Sequence, residues 1–246
     1  MNAPAALLTI PGYGIDSGVI VKSQRRANML QRHDLLHISV QAAQRIFSRW
    51  RTSRVAWQQA FAAGELPGIV RRPVEGEPQG DIALGFSFPE RINGQRQRLA
   101  STITPDEVVY LLTPFEVAQR TFVSRTPALM ALADLRERFT HLDCVPGVWG
   151  STALEIISGF HYTDRQSDLD IVIDIHPVEQ LCAVYQCLLQ LEQTHQTRID
   201  VEVRWPTGYG INLKELMTTQ GQILGKSLND VRLFDKQVLL AGAIER

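Results

Sequence analysis

The run RQSDLDIVIDI, residues 165–175, holds three aspartates, at 168, 170 and 174, inside a stretch that alternates like a buried strand. Side chains alternate across a strand. Leu169, Ile171, Ile173 and Ile175 therefore share one face, and Asp168, Asp170, Val172 and Asp174 the other. A second segment, RIDVEVRW (198–205), repeats the design: Ile199, Val201, Val203 and Trp205 on one side, Asp200, Glu202 and Arg204 on the other. If the two strands are neighbours, their acids converge on the open side of a sheet whose other side is covered by helices. Convergent carboxylates repel unless a cation offsets them. Hard oxygen ligands in this arrangement suit Mg²⁺, with Mn²⁺ as a substitute. Asp168 and Asp170 are spaced to reach one ion, and Asp200 is the natural third carboxylate. Asp174 lies roughly 13 Å beyond Asp170 along the strand and is read as strand-end solvation. The competing account is that all these acids merely solvate an edge.

Upstream, VPGVWGSTALEI (145–156) reads as a strand ending at Trp149 that passes through Gly150 and Ser151 into a helix opening at Thr152. Glycine permits close backbone approach, and the first N–H groups of a helix are free. Together with the helix dipole they make a small anion site. The plainer alternative is that Ser151 or Thr152 is an N-cap.

The elements that must position these residues are legible in outline. Residues 1–31 carry Pro4, Pro11 and several glycines and read as an extension. Folding begins at RHDLLHIS, with Asp34 and Ser39 as helix caps; 40–63 is expected to be helical and Gly64 to end it. Short apolar runs between 68 and 103 are strands and turns. TPDEVVYLL and TPALMALADLRERF each begin with Thr-Pro, a helix start. After them strands are expected at CVPGVWGS, DLDIVIDI, RIDVEVRW and GQILGKS, with helices at TALEIIS, 177–193 and INLKELMTT.

Composition sets bounds. The chain has 246 residues, 44% hydrophobic and 21% charged, long enough for a substantial core. A formal net charge of −1 provides no global basic field, so no nucleic-acid partner is expected. No apolar run approaches the roughly 20 residues of a membrane span. The three cysteines, Cys144, Cys182 and Cys187, form no C-x-x-C pair, which fits a reduced, cytoplasmic protein.

The order of strand, Gly-Ser, short helix, D-x-D strand, helix and acid-bearing strand resembles the nucleotidyltransferase superfamily of DNA polymerase β and its small relatives. Its elements here are WGS, SDLDIVI and IDVEV. More narrowly, RHDLLHIS, VRRP, IALGF, QRQRLA, TPDEV, GSTALEIISGF, SDLDIVI and IDVEV, in that order, resemble the phosphoribosyl-dephospho-CoA transferases. These are the holo-acyl-carrier-protein synthases of malonate decarboxylase. The resemblance implies an α+β fold: a nucleotidyltransferase-like domain, with a mixed sheet and helices on one face, preceded by a smaller α+β amino-terminal domain. The expected division is 1–31 as extension, 32–125 as the amino-terminal domain and 126–246 as the catalytic domain.

It also implies an activity. Such enzymes transfer 2′-(5″-triphosphoribosyl)-3′-dephospho-CoA to a serine of the apo acyl-carrier subunit and release pyrophosphate. Asp168 and Asp170 would hold Mg²⁺; Asp200 would hold a second metal or act as base towards the serine. Gly150 and Ser151 would cradle phosphates. Arg71, Arg72, Arg96 and Arg98 lie in matching segments, with Arg72 and Arg96 the chosen phosphate ligands, and Arg165 stands on the loop before Asp168. His33 and Asp34 match the family's opening motif. The Arg-rich stretch QRIFSRWRTSR (44–54) is a candidate dock for an acidic carrier. His161 and His176 have no metal-ligand spacing and are read as non-functional. Two other functions stay open: AMP transfer from ATP to another acceptor, and a non-catalytic binding module. The presence of all three carboxylates argues against the latter.

Overall fold

The computed structural model describes residues 30–48, 56–174 and 179–240. The amino-terminal half is a five-stranded antiparallel sheet in the order β4-β3-β2-β1-β5. Its strands are β1 (Leu35–Ile38), β2 (Gly68–Val70), β3 (Ile82–Ile92), β4 (Gln95–Ile103) and β5 (Val108–Leu112). Helices α1 (Val40–Phe47) and α2 (Ala56–Ala62) cover one face. There Leu36, Ile38, Leu84 and Phe86 pack with Ala43, Ile46 and Phe61. Leu35 and Leu112 instead join the core of the carboxyl-terminal half. The β3–β4 hairpin turns at Asn93-Gly94, both with positive φ, as a two-residue hairpin requires.

The second sheet has six strands in the order β11-β10-β9-β8-β7-β6. These are β6 (Pro146–Trp149), β7 (Leu169–Asp174), β8 (Ile199–Arg204), β9 (Gly210–Asn212), β10 (Gln222–Lys226) and β11 (Val231–Asp235). Helices α3 (Pro114–Ala118), α4 (Pro127–Thr140), α5 (Gly150–Ser158), α6 (Gln180–His195), α7 (Leu213–Thr218) and α8 (Lys236–Leu240) accompany it. Only β7 and β8 run parallel, joined by the crossover helix α6, as parallel neighbours require. Ile171, Ile173, Ile199, Val201 and Val203 are fully buried against Leu132, Leu135 and Leu188. The result is the expected two-part α+β architecture with a mixed second sheet.

Several local expectations need correction. RHDLLHIS forms a turn and strand β1 rather than a helix start: Asp34 accepts the Gln31 N–H at 2.9 Å and closes that turn. Ser39 does cap a helix, accepting the Ala42 N–H at 3.2 Å. TPDEVVYLL yields one 3₁₀ turn, then a strand, because Val108–Leu112 pairs with β1 and β-branched residues fit a sheet. Strands β9 and β11 and helix α8 had no clear periodic signal. The first sheet ends at Leu112, and α3 already packs on β6, ahead of the expected boundary at 125/126.

The acid-bearing face is only partly open. Val172 is 3% exposed. A side chain at Gly147 would strike Val172, Pro114 and Phe115, so α3 lies directly on this end of the sheet. Arg204 forks onto Asp174 (2.5 and 2.6 Å) and sits over the Phe115 ring. Asp174 is thus an ion-pair partner rather than a merely solvated strand end.

The loop leading to Asp168 is anchored by one buried carboxylate. Glu155 on α5 accepts from Arg125 (2.6 and 2.8 Å), the Tyr162 and Thr163 N–H groups (2.9 and 2.7 Å) and the Thr163 hydroxyl (2.8 Å). Burial pushes its carboxyl up, but Arg125 and Thr163 outweigh this and hold it below the usual range. Arg125→Met leaves the carboxylate buried and unpaired and is expected to cost about 3 kcal/mol in urea unfolding at pH 7. A depressed carboxylate stabilises above its unfolded pKa, roughly 4.3, and loses that effect as pH falls through the folded value. The deficit of Glu155→Gln relative to wild type should therefore shrink on acidification below about pH 4.

Candidate active site

Asp170 and Asp200 sit directly opposite each other in the parallel β7–β8 register. Asp168 stands one residue before β7, with its side chain 45% exposed. Trp149, at the end of β6, pairs with Asp170 from the other side. Asp170 is thus flanked by Asp200 on one strand and by the strand-to-helix turn on the other. Burial, followed by the Asp200 and Asp168 charges, pushes its carboxyl up to about 7. Positive charge close to the three acids would offset both effects.

Part of that charge comes from Arg198, which the sequence reading did not single out. Its Nε is 3.2 Å from Asp200 Oδ1, its Nη2 bonds Asp200 Oδ2, and its Nη1 is 3.8 Å from Asp168. The guanidinium is 63% exposed and bridges two of the three acids. Among the described residues no three His, Cys, Asp or Glu side chains are already closed into a metal cage. The donors are nevertheless suited to a hard divalent cation: they are carboxylate oxygens, and burial, then the acidic neighbours, raise the pKa of Asp170 so that a cation would favour its ionised form.

The Gly-Ser turn has the properties an anion needs. Gly150 has φ 68°, and a side chain there would collide with the Asp170 carboxylate, so only glycine lets backbone and acid come this close. Helix α5 begins at Gly150 itself, two residues before the expected Thr152, with Trp149 at the N-cap position and no side chain capping it. Neither Ser151 nor Thr152 is an N-cap. The Thr152 hydroxyl and Trp149 Nε1 are buried without a hydrogen-bond partner, a costly condition unless a ligand or water completes them. In front of this turn lies a cavity of about 220 Å³, lined by Trp149, Asp170, Asp200, Glu202, Arg32 and Lys226 among others.

The expected basic ligands divide. Arg96 donates to the Phe88 and Pro89 carbonyls (3.1 and 3.2 Å) and to the Tyr162 carbonyl; it clips the β3–β4 hairpin to the loop after α5. Arg71 is held by Glu77 and by the Leu84 and Arg72 carbonyls. Arg72 is half-buried, its Nε has no partner, and it does not line the cavity. Arg98 lies close enough for its charge to oppose the rise in the Asp170 pKa. Arg165 and His161 are exposed, and His176 falls outside the described residues. Of the stretch 44–54, residues 49–54 also fall outside them, and Arg45 pairs with Glu107 at 2.6 Å.

The opening motif reaches the site directly. His33 is buried, stacks on Trp149 with ring centroids 3.8 Å apart, and lies 3.2 Å from Glu202. Burial lowers its pKa against the pull of Glu202. Arg32 meets the same carboxylate at 3.1 and 3.2 Å. Glu202 and Arg32 were not singled out. Alternation placed Glu202 on the acidic face, but its partners come from 170 residues away.

Fold and site together define a two-part α+β protein whose carboxyl-terminal mixed sheet carries the acid cluster. Two family models match almost end to end: the phosphoribosyl-dephospho-CoA transferase MdcG N-terminal domain over residues 31–114 and the MdcG C-terminal domain over 116–237. The chain belongs to the phosphoribosyl-dephospho-CoA transferase family. It is 34% identical over 183 residues to the phosphoribosyl-dephospho-CoA transferase of Xanthomonas axonopodis pv. citri, covering 74% of this chain and 84% of that one. It is 29% identical over 216 residues to that of Xanthomonas campestris pv. campestris (86% and 97% covered). To that of Bradyrhizobium diazoefficiens it is 26% identical over 227 residues (86% and 93%). No solved structure matches the chain.

Asp170→Asn removes the buried charge without changing shape. In chelator at pH 8 it should stabilise the protein by on the order of 2 kcal/mol, a rise of several degrees in thermal midpoint. Added Mg²⁺ should raise the midpoint of the wild type and leave that of the variant unmoved. A variant less stable than wild type in chelator would contradict this electrostatic account.

Proposed function

We propose that this protein transfers 2′-(5″-triphosphoribosyl)-3′-dephospho-CoA to a serine of the apo acyl-carrier subunit of malonate decarboxylase, using Mg²⁺ held by Asp168, Asp170 and Asp200. The observation that carries the reading is the in-register pair Asp170–Asp200 beside the uncapped Gly150-Ser151 helix start, in a chain matched by both family domains. When bound, the metal would supply positive charge to the triphosphate and to the departing pyrophosphate.

The protein's own groups account for the rest. The serine Oγ attacks the α-phosphorus of the donor; a new O–P bond forms as the bond to pyrophosphate breaks. Asp200, held by the Arg198 fork, accepts the serine proton once the substrate displaces that guanidinium, or else serves only as a metal ligand. The uncapped N–H groups at the start of α5 would receive phosphate oxygens of the donor. Gly150 lets that backbone approach the reacting phosphate without a side chain between. No helix among the described residues is long and apolar enough to cross a membrane, which suits a carrier-protein partner in the cytoplasm.

The test is direct. The protein is incubated with apo-carrier, Mg²⁺ and the triphosphoribosyl donor, and the carrier is weighed by intact mass spectrometry. The expected result is a carrier heavier by one phosphoribosyl-dephospho-CoA group. An unmodified carrier, or faster addition of AMP from ATP, sinks the reading. Asp168→Ala and Asp170→Ala should each abolish transfer while leaving the circular dichroism spectrum unchanged; near-wild-type rates would remove these residues from the site.

A further inference from the structure

Several arginines of this protein present two nitrogens to their carboxylate, whereas Arg45 meets both oxygens of Glu107 with Nη2 alone. Arg125 uses Nε and Nη2 on Glu155, Arg204 uses Nε and Nη2 on Asp174, and Arg198 does the same on Asp200. That planar fork is the strong way to bind a carboxylate or a phosphate. Arg32 also departs from the fork. A single nitrogen, Nη1, serves both oxygens of Glu202 (3.2 and 3.1 Å) and the Lys226 carbonyl (3.0 Å). Among the described residues its Nε and Nη2 make no bond, and the side chain lines the same cavity as Asp170, Asp200 and Trp149.

The seat of Arg32 is built at some cost. Glu202 is buried beneath it and is also met by His33. Gly210 has no room for a side chain, because a Cβ there would overlap the Glu202 carboxylate. His33 takes a left-handed φ of 75°, rare outside glycine. In that conformation two consecutive side chains meet one carboxylate: His33, stacked on Trp149, and Arg32 both reach Glu202. A strained backbone, an obligatory glycine and a buried carboxylate all hold one guanidinium at the cavity wall.

We propose that Arg32 is a phosphate-binding residue of the cavity, contributed by the amino-terminal domain, and that Glu202 is its positioning residue. Its ligand class is a pyrophosphoryl group: the terminal phosphates of a triphosphate donor or the released pyrophosphate. Alternation supports the placement. Glu202 lies two residues from Asp200 on the same face of β8, about 6.6 Å along the strand at ~3.3 Å per residue. That spacing puts Arg32 next to the carboxylates rather than among them, one phosphate further along the chain. The inference rests on the proposed triphosphate reaction for its biological ligand, but not for its test.

The test measures binding of inorganic pyrophosphate with Mg²⁺ to the full chain by calorimetry. Arg32→Gln, and Arg32→Lys, which keeps the charge but loses the fork, should both weaken binding by about 10- to 100-fold. Glu202→Gln should weaken it less, raising KM for the donor with little change in kcat. In the wild type, pyrophosphate should slow amide exchange at residues 31–34, a readout that does not depend on any variant folding. Equal affinity in wild type and Arg32→Lys, or unchanged exchange at 31–34, overturns the inference. A protein that binds pyrophosphate through Arg32 but leaves the carrier unmodified would keep this inference and overturn the carrier reading. One that modifies the carrier yet ignores both Arg32 variants would do the reverse.

Discussion

The interaction on which the site depends is repulsion. β7 and β8 run parallel and in register, which brings the Asp170 and Asp200 carboxylates side by side with Asp168 at the entrance. Burial makes Asp170 costly to ionise, and its neighbours add to the cost. Such an arrangement persists only because the large apolar core on the opposite face holds the register. A one-residue slip would turn Ile171 and Val201 outward and disperse the acids. The core therefore holds the carboxylates together against their mutual repulsion.

Around that centre the protein distributes positive charge in three ways. Arg198 bridges Asp168 and Asp200 from an exposed position, where it can be displaced. Helix α5 directs an uncapped amino terminus toward the site, and Gly150 removes the side chain that would block it. Arg32 and Arg98 arrive from the other sheet. The amino-terminal domain is thus part of the site rather than an appendage. Its first described turn packs His33 on Trp149, the residue that ends β6 and precedes helix α5.

The buried ion pairs of the chain serve different ends. Arg125–Glu155 is fully bonded by fork, backbone and hydroxyl, and it anchors the loop that delivers Asp168. Arg96 plays a similar part through carbonyls, which explains why an arginine in a matching segment can be structural. Glu202, by contrast, shares its partners loosely. Charged groups whose best geometry is already used hold a fold; those with donors to spare are poised to meet a ligand.

The sequence by itself determined the central strands β6, β7 and β8 and strand β10 of the second sheet, the inward and outward faces of β7 and β8, the Gly-Ser turn and the three carboxylates. These are local properties: a period of two, a glycine at a sharp turn, acids at odd positions of an apolar strand. It did not determine that Leu35–Ile38 of RHDLLHIS is a strand, because three apolar residues broken by a histidine suit either periodicity. It also misassigned VVYLL, where the pairing with β1 overrides a good helix start. Which arginines face the cavity was beyond it altogether. Arg96 and Arg32 are both arginines flanked by polar residues in segments that match the family. One ends on carbonyls and the other at a cavity wall, because partners 66 and 170 residues away decide what each guanidinium meets. Side-chain chemistry is written in the chain; the long-range pairing that gives it an address is made only when the two sheets close on each other.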